Sequence, residues 1–111
     1  MEYELARRTP RYSLVIDVEL TDVQSGIQIK ARTKQLSLFG CGVDALRLFP
    51  KGTNVRIRLF HSGADVNALA RVVYANPELG MGMAFTKVDR ENERILDWWI
   101  TELTSIPTPR P

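Results

Sequence analysis

Six short runs of alternating apolar and polar residues, each closed by a turn signal, constrain this chain more than any other feature. In the first, Tyr12, Leu14, Ile16, Val18 and Leu20 alternate with Ser13, Asp17 and Glu19, which predicts one half-buried strand. Thr21 to Gly26 is a polar turn, and Ile27, Ile29 and Ala31 then alternate with Gln28, Lys30, Arg32 and Lys34. Cys41 and Val43 make a short third run after a corner at Ser37 to Gly40. Pro50-Lys51-Gly52 turns the chain into a fourth, with Val55, Ile57 and Leu59 on one face and Asn54, Arg56 and Arg58 on the other. Ser62-Gly63 leads to the fifth, whose apolar face is Val66, Ala68, Ala70, Val72 and Tyr74. Asn76-Pro77 and Gly80 lead to the sixth, with Met81, Met83 and Phe85 inward and Gly82 and Ala84 opposite.

The period then changes. Asp89 is a helix cap, with Glu91 and Glu93 favourable in the first turn. Ile95, Leu96, Trp99, Ile100 and Leu103 share one face at 3.6-residue spacing, and Trp98 falls to the side of it. Strands that each hide one face gain by closing into a barrel, because closure removes open edges. The expected fold is therefore mainly β: a six-stranded antiparallel β-barrel with a C-terminal α-helix over an opening or flank. The expected organisation is a flexible arginine-bearing arm over 1–11, barrel plus helix over 12–104, and a proline-rich tail over 105–111. With 111 residues the chain is long enough to bury a core without metals or disulfides.

The net charge of +2 is too small to imply nucleic-acid or membrane binding by itself. Cys41 is the single cysteine, so no intrachain disulfide forms, and its apolar surroundings predict a buried thiol. His61 is the single histidine, and nothing places it near Cys41. No nucleophile–base set, metal-ligand spacing or P-loop occurs, so the chain is not expected to be an enzyme or to hold a metal or cofactor. Met1-Glu2-Tyr3-Glu4 does not begin a signal peptide and no run is long enough to span a membrane, which makes the cytoplasm the expected location.

Two motifs carry chemistry. In Arg7-Arg8-Thr9-Pro10-Arg11, Pro10 keeps Thr9 extended, so Arg7 and Arg11 stand roughly 13 Å apart. Guanidiniums fork onto phosphate oxygens and onto O6 and N7 of guanine, and they stack on bases. The competing reading is a solvated basic arm. In Gln35-Leu36-Ser37-Leu38-Phe39-Gly40, Gln35 and Ser37 can bond a base edge or a backbone group, and Gly40 permits a turn or a close approach. The competing reading is a strand corner in which Ser37 bonds its own backbone.

Together these motifs resemble those of the PilZ domain family, the bacterial receptor module for cyclic di-GMP. The family's RxxxR is matched by Arg7 and Arg11, with Arg8 between, and its [D/N]xSxxG by Ser37 and Gly40, with Gln35 in the Asp/Asn position. Cys41-Gly42-Val43 and Gly80 to Phe85 also look like the family's strands, so the resemblance spans roughly residues 5 to 104. It implies the same barrel and helix. It also implies that Arg7, Arg8 and Arg11 grip the nucleotide, that Ser37 and Gln35 bond a guanine, and that Gly40 shapes the corner. Gln35 keeps an amide but is one methylene longer than Asn, which weakens one hydrogen bond by on the order of 1 kcal/mol.

A downstream protein partner is expected, with Trp98 as a candidate contact. Some members of the family bind no nucleotide and act as protein adaptors, and the alternative reading is such an adaptor, with weak or no nucleotide binding because Gln35 replaces the family's Asp or Asn. Lys30, Arg32, Lys34, Arg56 and Arg58 form either a basic wall beside the ligand or the solvent faces of two strands. DNA or RNA binding is not expected, because Tyr74 and Phe85 fall on inward faces and leave no exposed aromatics among the cations.

Overall fold

The computed structural model describes residues 10–104. Its elements are β1 (Tyr12–Ser13), β2 (Asp17–Asp22), β3 (Gln28–Leu36), β4 (Gly40–Asp44), β5 (Asn54–His61), β6 (Ala64–Asn76), β7 (Gly80–Val88) and α1 (Arg90–Thr104). Every pairing is antiparallel, in the order β1-β3-β2-β5-β6-β7-β4, and a further β3–β4 pairing closes the sheet. β1 and β2 lie along the same side of β3, at different stretches of it. The result is the expected closed six-stranded barrel with a helix after it.

Alternation explains the interior. Val18, Leu20, Val55, Ile57, Leu59, Val66 and Val72 are all at most 1% exposed, and their chain neighbours on the other face meet solvent. α1 packs against β6. Its first intrahelical bond runs from Glu93 N to the Asp89 carbonyl at 2.8 Å, which starts the helix where the sequence places its cap. Leu96, Trp99 and Ile100 are buried, and Asn92 Oδ1 accepts a hydrogen bond from Asn67 N at 2.9 Å, tying the start of α1 to β6. His61 ends β5 edge-on to Trp99, with ring centroids 5.4 Å apart. Trp98 stays 44% exposed, as its place off the apolar stripe predicts.

The structure corrects the strand pattern in two places between Tyr12 and Ile29. The run from Tyr12 to Leu20 is not one strand but breaks between Ser13 and Asp17. Ile27, expected inside, is 44% exposed. It belongs to the β2–β3 turn, where Asp22 Oδ1 accepts from Gln24 N, Asp22 Oδ2 accepts from the Ser25 hydroxyl, and Ile27 N donates to Ser25 Oγ. Those local side-chain bonds shape the turn, and Ile27, whose carbonyl accepts from Asp22 N at 2.9 Å, closes it just ahead of the inward Ile29.

Candidate functional site

One row of residues crosses five strands on the outside of the barrel. Ser13 of β1 pairs with Gln35 of β3, Gln35 with Gly42 of β4, Gly42 with Gly82 of β7, and Gly82 with Tyr74 of β6. The adjacent row, Leu36, Cys41, Met83 and Val72, is buried in the barrel. Period two therefore turns the Gln35–Tyr74 row outward. The Tyr74 ring lies directly on Gly82, where a Cβ would meet Tyr74 Cε2 at 1.9 Å, and its hydroxyl reaches to 3.5 Å from a Cβ position on Gly42. Two glycines thus form a floor between an aromatic ring and the Gln35 amide. Arg11, Gln35, Ser37, Gly40, Gly42 and Tyr74 all line the cleft above it.

The inward assignment of Tyr74 is overturned. The β6–β7 register shifts between Val72 and Tyr74, so Val73 is an extra residue in β6. A single inserted residue reverses the facing of everything after it. Val72 stays fully buried and Tyr74 emerges half-buried on the cleft side. Phe85 does face inward and is 8% exposed. A signal for Tyr74 was present in Gly42 and Gly82, since an aromatic laid over strand glycines is a common way to cover them.

The corner between β3 and β4 is built by its own polar atoms. Ser37 N donates to the Gly40 carbonyl at 2.9 Å, the Ser37 hydroxyl donates to the same carbonyl at 3.3 Å, and Phe39 N donates to Ser37 Oγ at 3.1 Å. Ser37 is 3% exposed. A hydroxyl has one donor and two acceptor sites, and these bonds use the donor and one lone pair of Ser37 Oγ. Phe85 N donates to the Phe39 carbonyl at 2.7 Å, which pins the corner to β7. Gly40 fits because a Cβ there would lie 2.1 Å from the Met83 carbonyl oxygen.

Arg11 precedes β1 and is exposed. Tyr12 pairs with Leu36 and Ser13 with Gln35, so one further step of the register sets Arg11 opposite Ser37. Arg7 and Arg8 lie outside the described residues. Lys30, Arg32, Lys34, Arg56 and Arg58 do not line the cleft, so they are not a wall beside it. Three of them are engaged elsewhere: Arg32 with Asp17 at 3.3 Å, Lys34 with Asp44 at 3.6 Å and Arg58 with Asp65 at 2.8 Å.

Cys41 lies under the cleft floor, and burial pushes its thiol from an ordinary 9.0 up to about 12. It is a packing residue and not a nucleophile. Above the unfolded value the unfolded chain has released this proton and the folded chain has not, so stability falls as pH rises from about 9 towards 12. Urea unfolding at about pH 10.5 is expected to show a loss on the order of 2 kcal/mol relative to about pH 8 that Cys41→Ala lacks. An equal pH dependence in both proteins would refute it.

Among the described residues, no group of three or more His, Cys, Asp or Glu side chains is placed to hold a metal ion. No described helix is long and apolar enough to cross a membrane.

No curated protein sequence matches the chain significantly. Solved structures share its fold. The PilZ domain of CeSA from a cellulose-synthesizing bacterium superposes with a TM-score of 0.69 at 21% identity, over 86% of this chain and 99% of that one. The PilZ domain of YcgR from Escherichia coli, solved with c-di-GMP, gives 0.68 at 18% identity, over 88% of this chain and 91% of that one. YcgR in complex with c-di-GMP gives 0.71 at 20% identity, over 88% of this chain, and there the chain spans 46% of the relative. The sequence profile of the PilZ domain matches residues 6–102. That match runs through the arginine motif, the corner and every strand of the barrel, so the chain belongs to the PilZ family.

Proposed function

We propose that this chain is a cyclic di-GMP-binding sensor domain whose arginine arm closes on the nucleotide at the β3–β4 corner. PilZ domains are receptor and adaptor modules, and the single observation that favours the receptor role here is the shared cleft. Arg11 from the arm, Gln35 and Ser37 from the corner, and the Tyr74 ring line one depression. Those groups complement a purine-bearing dianion. Arg11, with Arg7 and Arg8, supplies charge and bidentate donors for phosphate or for the guanine O6 and N7 edge. Gln35 and the remaining lone pair of Ser37 meet polar base atoms, and the exposed face of Tyr74 offers a stacking surface. The c-di-GMP complexes of YcgR support this choice of ligand. Fixing the arm on the nucleotide alters the surface offered to a downstream protein, so binding becomes a signal.

Gln35 is exposed and sits in the cross-strand row between Ser13 and Gly42. Its amide is one methylene longer than the Asn of the family motif and carries more rotamer freedom. Gln35→Asn is expected to tighten cyclic di-GMP binding several-fold, about 1 kcal/mol. Calorimetric titration of the full chain measures both proteins. Absence of heat, together with unmoved amide NMR peaks at the arm and corner under saturating nucleotide, refutes the sensor reading.

A second reading, a protein adaptor with little or no nucleotide binding, is favoured by exposed large apolar side chains. Trp98 is 44% exposed, and Leu38 and Phe39 at the corner are 40% and 38% exposed.

A further inference from the structure

β1 contributes only two residue pairs to the sheet, Tyr12 with Leu36 and Ser13 with Gln35. Two pairs are too few to hold a strand by themselves. Yet β1 is the element that delivers Arg11 to the cleft. Its anchorage therefore depends on the break at residues 14–16, where the chain leaves the β3 ladder before β2 rejoins it. A break in a sheet leaves backbone groups without ladder partners, and buried ones must be paired in another way.

Thr33 supplies that pairing. Its hydroxyl accepts a hydrogen bond from Ile16 N at 3.0 Å and donates one to the Leu14 carbonyl. Its own N–H donates to the Ile16 carbonyl at 3.0 Å, and Leu14 N donates to the Lys34 carbonyl at 3.4 Å. Thr33 is 1% exposed, and with Ser37 it makes up the buried polar side chains among the described residues. The β3–β4 register shifts between Thr33 and Gln35, so Lys34 is an extra residue. Without that bulge, residues 33 and 35 would share a face. With it, one strand sends a hydroxyl inward to the break and, two residues on, an amide outward to the cleft.

We infer that Thr33 is a positioning residue for nucleotide binding: its hydroxyl clamps Leu14 and Ile16 and thereby keeps β1 on β3, with Arg11 opposite Ser37. The inference rests on the proposed nucleotide reading for its consequence, and on the hydrogen bonds alone for the clamp. Threonine suits the place because it donates and accepts at once, and because its methyl fills a buried strand position. Valine keeps the shape and loses both bonds. Serine keeps the bonds.

The test uses the full chain. Thr33→Val is expected to weaken cyclic di-GMP binding about tenfold in calorimetry, the result of leaving the competent arm position roughly one-tenth populated. Thr33→Ser is expected to stay within about twofold of wild type. Combined with Arg11→Ala, Thr33→Val should cost clearly less than the product of the two separate losses, because an absent guanidinium gains nothing from being positioned. A general loss of stability would give the full product, and that result overturns the inference. Amide hydrogen exchange judges the clamp without ligand: Tyr12, Leu14 and Ile16, whose N–H groups face β3, should exchange about tenfold faster in Thr33→Val, with β5 and β6 unchanged. Unchanged exchange at those three amides overturns it too. Should Thr33→Val fail to fold, nucleotide is expected to slow Ile16 exchange in the wild type, and equal rates with and without it count against the clamp. A wild type that takes up no nucleotide refutes the proposed function, and the exchange comparison still stands.

Discussion

Arg11→Ala is expected to lower affinity for cyclic di-GMP by about a hundredfold, near 3 kcal/mol. The size reflects what is removed. Hydrogen bonds to a charged group contribute roughly 1.5–3 kcal/mol, about twice a neutral bond, and a guanidinium makes them in pairs. Arg11 is the described arginine that lines the cleft, and the register of β1 sets it beside the corner. Arg11→Lys should recover only part of the loss, since an ammonium keeps the charge and lacks the planar fork. Arg32→Ala is the control. Arg32 pairs with Asp17 away from the cleft, so removing it should change affinity by less than about 0.5 kcal/mol. Calorimetry on the three variants checks the series. Equal affinity of wild type and Arg11→Ala would end the arm mechanism and leave the adaptor reading in possession.

Gly40→Ala is expected to destabilise the fold by about 3 kcal/mol and to lower Tm by more than about 10 °C. The new Cβ would sit 2.1 Å from the Met83 carbonyl oxygen and 3.2 Å from Ala84 Cα. Both are backbone atoms of β7, so no side-chain rotation relieves the clash. β4 and β7 must separate where Gly40 pairs with Ala84, and the two bonds that Ser37 makes to the Gly40 carbonyl are pulled with them. Nucleotide binding should then fail because the corner is lost, and not because a ligand contact is removed. Gly42→Ala separates the two causes. Its Cβ meets Tyr74 Oη at an ordinary 3.5 Å, so it should cost less than about 1 kcal/mol of stability while narrowing the cleft. Urea and thermal unfolding measure both. A Gly40→Ala protein as stable as wild type would show that β7 can retreat, and that the glycine serves the ligand alone.

Much of the fold is legible in the residues. Alternation puts Val18, Leu20, Val55, Ile57, Leu59, Val66 and Val72 inside, and all are buried. The shift to a 3.6-residue period marks α1 and separates Trp99 from Trp98. The corner motif reads equally well as a turn closed by Ser37 or as a ligand contact, and the hydroxyl's inventory allows both: its proton goes to Gly40, one lone pair to Phe39 N, and one remains.

Tyr74 and Thr33 escape that kind of reading for one shared reason. Tyr74 is in phase with Val72, which points it inward, and Thr33 is one polar residue among polar neighbours. Both sit beside an extra residue, Val73 in one strand and Lys34 in another. A bulge leaves no mark in the composition of its strand, because the pairing it shifts is with a partner distant in sequence.

Local chemistry in the chain thus settled where strand and helix lie, and which faces are oily away from breaks and bulges, since those depend on neighbours one to four positions away. The register between strands was settled only by the closed barrel, where the hydrogen bonds of one strand must agree with those of the next all the way round. That agreement is what carries Gln35, Gly42, Gly82 and Tyr74 into one row and brings Arg11 to its end.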